Sequence, residues 1–310
     1  MAFLKAFGSY LPARVVGNEE IGALVGSTAE WIYNVSGIEE RRFSSADETV
    51  ADMAVCAAQD CLERAAVDAG SLGMVLVSSG SSERQFPGPA STVANRLGLE
   101  TTPALDLPIA SAGSLFGMSL ASRLVEQHGN VLVVAAEKMS GIVLREPMSR
   151  TTSILFGDGA GACLLTPDRG AAEVIDSALY TDGRFAEDLC LDFGRPLEMN
   201  GRTVILQASR KIPRAIAGLL EKHGRAAAEV ETFLMHQANQ NLIVRVAEAL
   251  SVTPEKFYSN IRNRGNTSSA SMLIAAAEWE GAGGFRPGGA VMFATFGAGF
   301  HWGALLAVGC

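Results

Sequence analysis

The sequence predicts a layered α/β fold built from two related halves. Short, Val-rich apolar runs alternate with stretches of helical periodicity along the chain. Glycine supplies 33 of the 310 residues, more than the usual ~7%, which suits tight turns between buried strands. Two motifs also recur. Leu155-Phe-Gly-Asp-Gly-Ala-Gly-Ala-Cys-Leu-Leu165 is echoed by Thr295-Phe-Gly-Ala-Gly-Phe-His-Trp-Gly-Ala-Leu-Leu306, and Ala110-Ser-Ala-Gly-Ser-Leu-Phe-Gly-Met118 by Gly265-Asn-Thr-Ser-Ser-Ala-Ser-Met-Leu273.

Taken in order, Thr49 to Ala66 has helical periodicity and precedes the strand Met74-Val-Leu-Val-Ser-Ser79. The next helix runs from Ala112 to Gln127, with Leu115, Phe116, Leu120 and Leu124 on one face and Gly129 as its C-cap. Val131-Leu-Val-Val-Ala-Ala136 is a second strand. Helices over Lys211 to His223 and Asn241 to Leu250 flank the strand Thr232-Phe-Leu-Met235, and Ala290-Val-Met-Phe-Ala294 is the last such run. Continuous apolar runs of this length suit strands buried on both faces. Pro167-Asp-Arg-Gly170 is a turn-forming joint that divides the chain into halves at 1–168 and 169–310.

Lys and Arg total 25 against 33 Asp and Glu, giving a formal charge of −8 and a pI near 5.1. The basic residues are scattered, so no nucleic-acid face is expected. No stretch of about 18 uncharged apolar residues exists to span a membrane. Lys5 and Gly8 interrupt any signal-peptide core, which makes a cytoplasmic location the expectation. Cys56, Cys61, Cys163, Cys190 and Cys310 form no C-x-x-C pair, so neither a disulfide framework nor a metal site is expected. The first four read as reduced core thiols.

Three polar residues stand in small-residue turns at strand ends or helix starts, where ligand sites of open α/β sheets gather. Ser111, among Ala110, Ala112 and Gly113, is either a helix N-cap or a reactive side chain beside the positive end of a helix. His236, at the end of Thr232–Met235, is either a hydrogen-bonded core histidine or a donor or base. Asn266 precedes an Ala-rich helix and is again an N-cap candidate. His128 and His223 read as caps at helix C-termini, and His301 is unassigned. The glycine turn Phe296-Gly-Ala-Gly-Phe300 can aim backbone N–H groups inward, as an oxyanion hole requires.

In this order the motifs resemble the β-ketoacyl-acyl carrier protein synthase III family of the thiolase superfamily, over the whole chain. Trp31-Ile-Tyr-Asn-Val-Ser-Gly-Ile-Glu-Glu-Arg-Arg42, Phe156-Gly-Asp-Gly-Ala-Gly161, His236-Gln-Ala-Asn239, Gly265-Asn-Thr-Ser268 and Phe296-Gly-Ala-Gly-Phe-His-Trp-Gly303 carry the resemblance. It implies a thiolase fold, two similar halves in an α-β-α-β-α arrangement, and a homodimer. It places the nucleophile on Ser111, a histidine–asparagine pair on His236 and Asn266, and oxyanion N–H groups on Ser111 and Ala298. Trp31 would stack near the adenine of coenzyme A. Phe86 would reach across a dimer interface, and Phe156, Gly201 and Ile205 would line the substrate channel. The reaction implied is transfer of an acyl group from acyl-CoA, then decarboxylative condensation with a malonyl thioester, with no metal or redox cofactor.

The departures from the family pattern are as informative. Ser111 replaces the family's cysteine. A thiol at a helix N-terminus ionises readily, whereas a serine hydroxyl needs a general base, a role His236 could fill if it lies within hydrogen-bond reach. Basic positions that would meet an acidic carrier protein are Val35, Asn241, Glu248 and Ala249 here, and a lysine gives way to Val204-Ile-Leu206. Arg202, Arg210, Lys211, Arg214 and Arg245 could supply a shifted patch, so carrier docking stays open. Beside condensation stand acyl transfer to an oxygen or nitrogen acceptor, a Cys-to-Ser variant, and a catalytically impaired subunit that only binds an acyl or coenzyme A group.

Overall fold

The apolar runs are strands, and they lie side by side. The computed structural model describes residues 1–310. Its main strands are β1 (Phe3–Tyr10), β2 (Leu72–Ser78), β3 (Ala104–Leu107), β4 (Asn130–Lys138), β5 (Asp158–Thr166), β6 (Ala172–Thr181), β7 (Val230–Met235), β8 (Phe257–Tyr258), β9 (Ala290–Gly297) and β10 (His301–Gly309). The ladder runs β8-β7-β9-β10-β6-β1-β5-β4-β2-β3. Its middle joint, β1 on β6, is only two residue pairs, Phe3 with Glu173 and Leu4 with Ala172.

Either side of that joint the wiring is the same. β2 is parallel to β3 and β4, and β5 is antiparallel to β4 and β1. Likewise β7 is parallel to β8 and β9, and β10 is antiparallel to β9 and β6. The echoed glycine turns lead into β5 and β10, which hold equivalent places in the two arrays.

The main helices are α1 (Ala29–Ser36), α2 (Val50–Ala65), α3 (Pro89–Arg96), α4 (Gly113–His128), α5 (Gly201–Lys222), α6 (Gln240–Ala249) and α7 (Ser271–Gly281). Alternation along the strands sorts the core into layers. Val75, Val77, Leu132 and Val134 face α2 and α3 on one outside. Phe233, Met292 and Leu306 face α5 and α6 on the other. Leu76, Val133, Leu234 and Phe293 meet α4 and α7 in the middle. This is the α-β-α-β-α thiolase arrangement.

Two helices differ from expectation. α4 buries Leu115, Met118, Ala121 and Val125, while Leu120 is 43% exposed. Close approach to the sheet selects this face: a Cβ on Gly117 would lie 2.7 Å from Val133 Cγ1. α5 starts at Gly201, ten residues before the predicted Lys211, so Val204-Ile-Leu206 is helical. Asn200 caps it through Thr203 N, and burial of Ala208 and Ile212 outweighs the weak propensity of its first turns. Of the cysteines, Cys61 and Cys163 are buried, but Cys56 and Cys190 are only half-buried because they sit at the core's margin. The His223 ring pairs with Asp176 at 2.9 Å rather than capping carbonyls.

Candidate functional site

Ser111, His236 and Asn266 come from three separate loops and meet on the wall of one narrow cavity of about 90 Å³. Phe156, Gly201 and Ile205 line the same wall, with Leu189, Met199, Val204, Ala208 and Leu242 completing an apolar throat. Pockets for drug-sized ligands run to ~300–1,000 Å³, so this cavity is a small one. Trp31 and Phe86 lie outside it, and from the glycine turn Gly297 reaches the wall rather than Ala298.

Ser111 lies on the turn between β3 and α4. Its φ is +62°, in the left-handed region that L residues rarely adopt. It is not an N-cap: Ala112 holds that position, with no side-chain cap. Gly297 makes the turn possible, since a Cβ there would lie 2.8 Å from Ala112 N and 2.9 Å from Ser111 Cβ, and closer still to Ala110 O. The Ser111 hydroxyl has one partner, Ser268 Oγ at 3.4 Å, and the Ser111 amide donates to that same oxygen at 3.1 Å. No hydrogen bond joins Ser111 to His236. Of the two predicted oxyanion donors, then, the Ser111 amide is already engaged, while Ala298 N makes none of the chain's turn or loop backbone hydrogen bonds.

His236 follows β7 and is 4% exposed. Burial pushes its pKa down to about 4, so the ring is neutral at neutral pH. Its Nδ1 sits 2.5 Å from Ser271 Oγ, which also accepts from Gln237 N at 3.1 Å. A serine has one proton to give. We assign that proton to Nδ1, which places the ring's own proton on Nε2 and makes that nitrogen a donor rather than a base. Asn266 is oriented the same way. Its Oδ1 accepts from Ser268 N at 2.8 Å, which leaves Nδ2 as the donor. Its backbone is stitched to the other half of the chain through Leu155 O and Gly157 N, at 2.9 and 3.0 Å. Two neutral N–H donors on one cavity wall are suited to an oxygen that gains negative charge.

Several functional partners escaped sequence reasoning. Ser268 and Ser271 stood in a motif already singled out, but their targets are set by tertiary contact. Glu137 interrupts the apolar run of β4 and is fully buried; its position in that run was an available signal. The Arg150 guanidinium lies 4.6 Å over the Trp31 ring, and nothing in the local sequence marked it. Arg41, buried among Asn18 Oδ1, Val16 O and Ile154 O, anchors the segment leading to Phe156. Desolvation lowers its pKa to about 10.

Such a fold, with three polar side chains from separate loops meeting on the wall of an apolar cavity, is that of the thiolase superfamily. Residues 105–183 match the family model for 3-oxoacyl-[acyl-carrier-protein] synthase III and residues 220–308 its C-terminal model. The chain is 36% identical to the beta-ketoacyl-[acyl-carrier-protein] synthase III of Nitratidesulfovibrio vulgaris, covering 98% of both. It superposes on the 3-oxoacyl-[acyl-carrier-protein] synthase III of Aquifex aeolicus with a TM-score of 0.95 at 32% identity, covering 99% of this chain and 100% of that one. It also matches the priming β-ketosynthase of the R1128 polyketide pathway, with a TM-score of 0.91 at 30% identity over 100% and 96% of the two chains. The protein belongs to the β-ketoacyl-acyl carrier protein synthase III family. No helix is long and apolar enough to cross a membrane.

Proposed function

We propose that the enzyme loads an acyl group from acyl-CoA onto Ser111 and condenses it with a malonyl thioester. The carrying observation is the convergence of Ser111, His236 and Asn266 on one channel wall. His236 Nε2–H and Asn266 Nδ2–H would hold the thioester oxygen of the malonyl group as decarboxylation turns it into an enolate. The carbanion then attacks the acyl-serine carbonyl. On this reading residues 1–168 carry the nucleophile and 169–310 the two donors, and Trp31 with Arg150 would receive the adenine of coenzyme A.

A homodimer is the assembly this reading favours. β3 is an edge strand paired on one side only, and Leu105 on it is 50% exposed. Phe86 and Phe193, 84% and 81% exposed, border one polar groove beside it. Covering by a second copy would remove these apolar groups from water. For a carrier protein, Arg202, Arg210, Arg214 and Arg245 are exposed, whereas Asp182 holds Lys211 at 2.7 Å.

Intact-protein mass spectrometry after incubation with short and long acyl-CoAs tests the loading step. The native chain should gain one acyl mass, and Ser111→Ala none. No adduct on the native chain, with ready loading of Ser111→Cys, would overturn the reading in favour of a site that binds without acylating.

A further inference from the structure

Residues 266–271 include three serines with three different targets. Ser268 Oγ accepts from the Ser111 amide at 3.1 Å and lies 3.4 Å from the Ser111 hydroxyl. Ser271 Oγ, at the start of α7, sits 2.5 Å from His236 Nδ1. Between them, Ser269 is held by neither: its Oγ and its N both donate to Glu137 Oε1, at 2.6 and 3.3 Å. Asn266 opens the stretch, and its Oδ1 accepts from Ser268 N at 2.8 Å. One short segment therefore contains one of the three site residues and touches the other two.

The segment is also strained. Ser268 has φ +48° and Ser111 φ +62°, so two left-handed, non-glycine residues face each other. Such conformations persist only where their surroundings over-determine them. The bonds of Ser268 stay within the segment or go to Ser111, which is strained itself, so a firm anchor has to come from elsewhere. Glu137 lies near the end of β4, 132 residues before Ser269, and is fully buried. Its other oxygen, Oε2, accepts from Ser81 Oγ at 2.5 Å, Gly80 N at 3.1 Å and Ser79 Oγ at 3.4 Å, all just after β2. One carboxyl group thus ties the ends of β2 and β4 to the strained segment. Burial raises its pKa. Amide N–H groups can only donate, so both oxygens stay acceptors with or without a proton. Glu137 and Ser269 both lie off the cavity wall.

We propose that Glu137 is a positioning residue: by gripping Ser269 it fixes residues 266–271, and through them the Ser111 turn, the His236 ring and the Asn266 amide. This rests on the reading of Ser111, His236 and Asn266 as the reacting groups. Glu137 meets no substrate and passes no proton. Its part is geometric, holding Ser268 in a conformation that a free serine would leave and keeping Ser271 at the histidine.

Two variants cut the grip from opposite ends. Glu137→Gln keeps the side chain's size but sets an NH₂ donor against one of the two amide donors, and Ser269→Ala removes a single oxygen. Each is assayed for acyl loading by quenched intact-mass spectrometry. Each is also assayed for conversion of malonyl-CoA to acetyl-CoA and CO₂, which on this reading needs His236 and Asn266 but no acyl-serine. Misplacement by about 1 Å can cost ~10²-fold, so kcat for both reactions should fall at least about tenfold, with KM for acyl-CoA within about twofold. The double variant should be no slower than the worse single one, because both changes break one link. Native rates in both variants would overturn the proposal. A loss that merely follows the folded fraction, read by circular dichroism, or that moves KM and kcat together, would overturn it and leave Glu137 a structural group. If Glu137→Gln does not fold, Ser269→Ala decides alone. Absence of any adduct on the native chain would overturn the loading reading, while the malonyl-CoA rates would still judge the grip of Glu137.

Discussion

The hydroxyl of Ser271 sits 2.5 Å from Nδ1 of His236, and this contact decides what the histidine can do. With the Ser271 proton assigned to Nδ1, Nε2–H is the ring's remaining donor, and the residue lines the cavity. Ser271→Ala removes that orientation and strands the Gln237 amide, which Ser271 also accepts. Loss of one oriented donor costs ~10²–10³ in turnover at comparable oxyanion sites. Condensation with a malonyl thioester should fall by about that factor, and more steeply than acyl loading. The check is to time both steps separately on the same preparation.

Much of this architecture was legible in the sequence for a physical reason. Strands buried on both faces must be continuously apolar, so β2, β4, β7 and β9 were visible to within a few residues. The first turns of α5 were not, because Gly201, Thr203, Val204 and Ile205 are weak helix formers and only packing fixes them. The buried face of α4 was misread because periodicity offers two apolar arcs and Gly117 chooses between them. Ser111, His236 and Asn266 were visible as polar residues among small ones. Their partners were not: Glu137 reaches Ser269 across 132 residues of chain, and no local pattern encodes that.

His236 also shapes stability against acid. Its native pKa, about 4, lies below the 6.5 it has when exposed. Between those values the unfolded chain binds the proton and the native chain does not, so stability rises with pH across this window. It is fully present above pH 6.5 and is lost as pH falls toward 4, by about 3 kcal/mol for the group alone. Urea midpoints measured from pH 4.5 to 7.5 should decline on acidification, and less steeply in His236→Gln. A parallel decline in both would show that other groups dominate.

Gly297 makes a sharp test of the Ser111 turn. The Cβ of Gly297→Ala would press on Ala110 O, Ala112 N and Ser111 Cβ, all backbone or elbow atoms with nowhere to go. Displacement of a nucleophile by about 1 Å can cost ~10²-fold. Acyl loading should fall by that order. Because Gly297 φ is not in the left-handed region, the loss comes from crowding rather than backbone strain, and Gly297→Ser should be no better.

A substitution at Trp31 tests the proposed nucleotide contact apart from the chemistry. Its half-buried ring already carries a cation, Arg150 at 4.6 Å. If the adenine of coenzyme A stacks there, its loss in Trp31→Ala should weaken binding by ~1–3 kcal/mol, the range for a base on an aromatic ring. That is a rise of about 5- to 150-fold in KM for acyl-CoA, with kcat little altered, because the indole lies outside the cavity that holds Ser111. An acyl-pantetheine substrate, which has no nucleotide, supplies the control. Its KM should be the same with and without the indole. Trp31 also packs on the small cluster of Val16, Ile21, Ile32, Phe43 and Ile154, beside the segment that carries Phe156. Should the substitution harm both substrates equally, the ring acts through that packing, and the adenine site lies elsewhere.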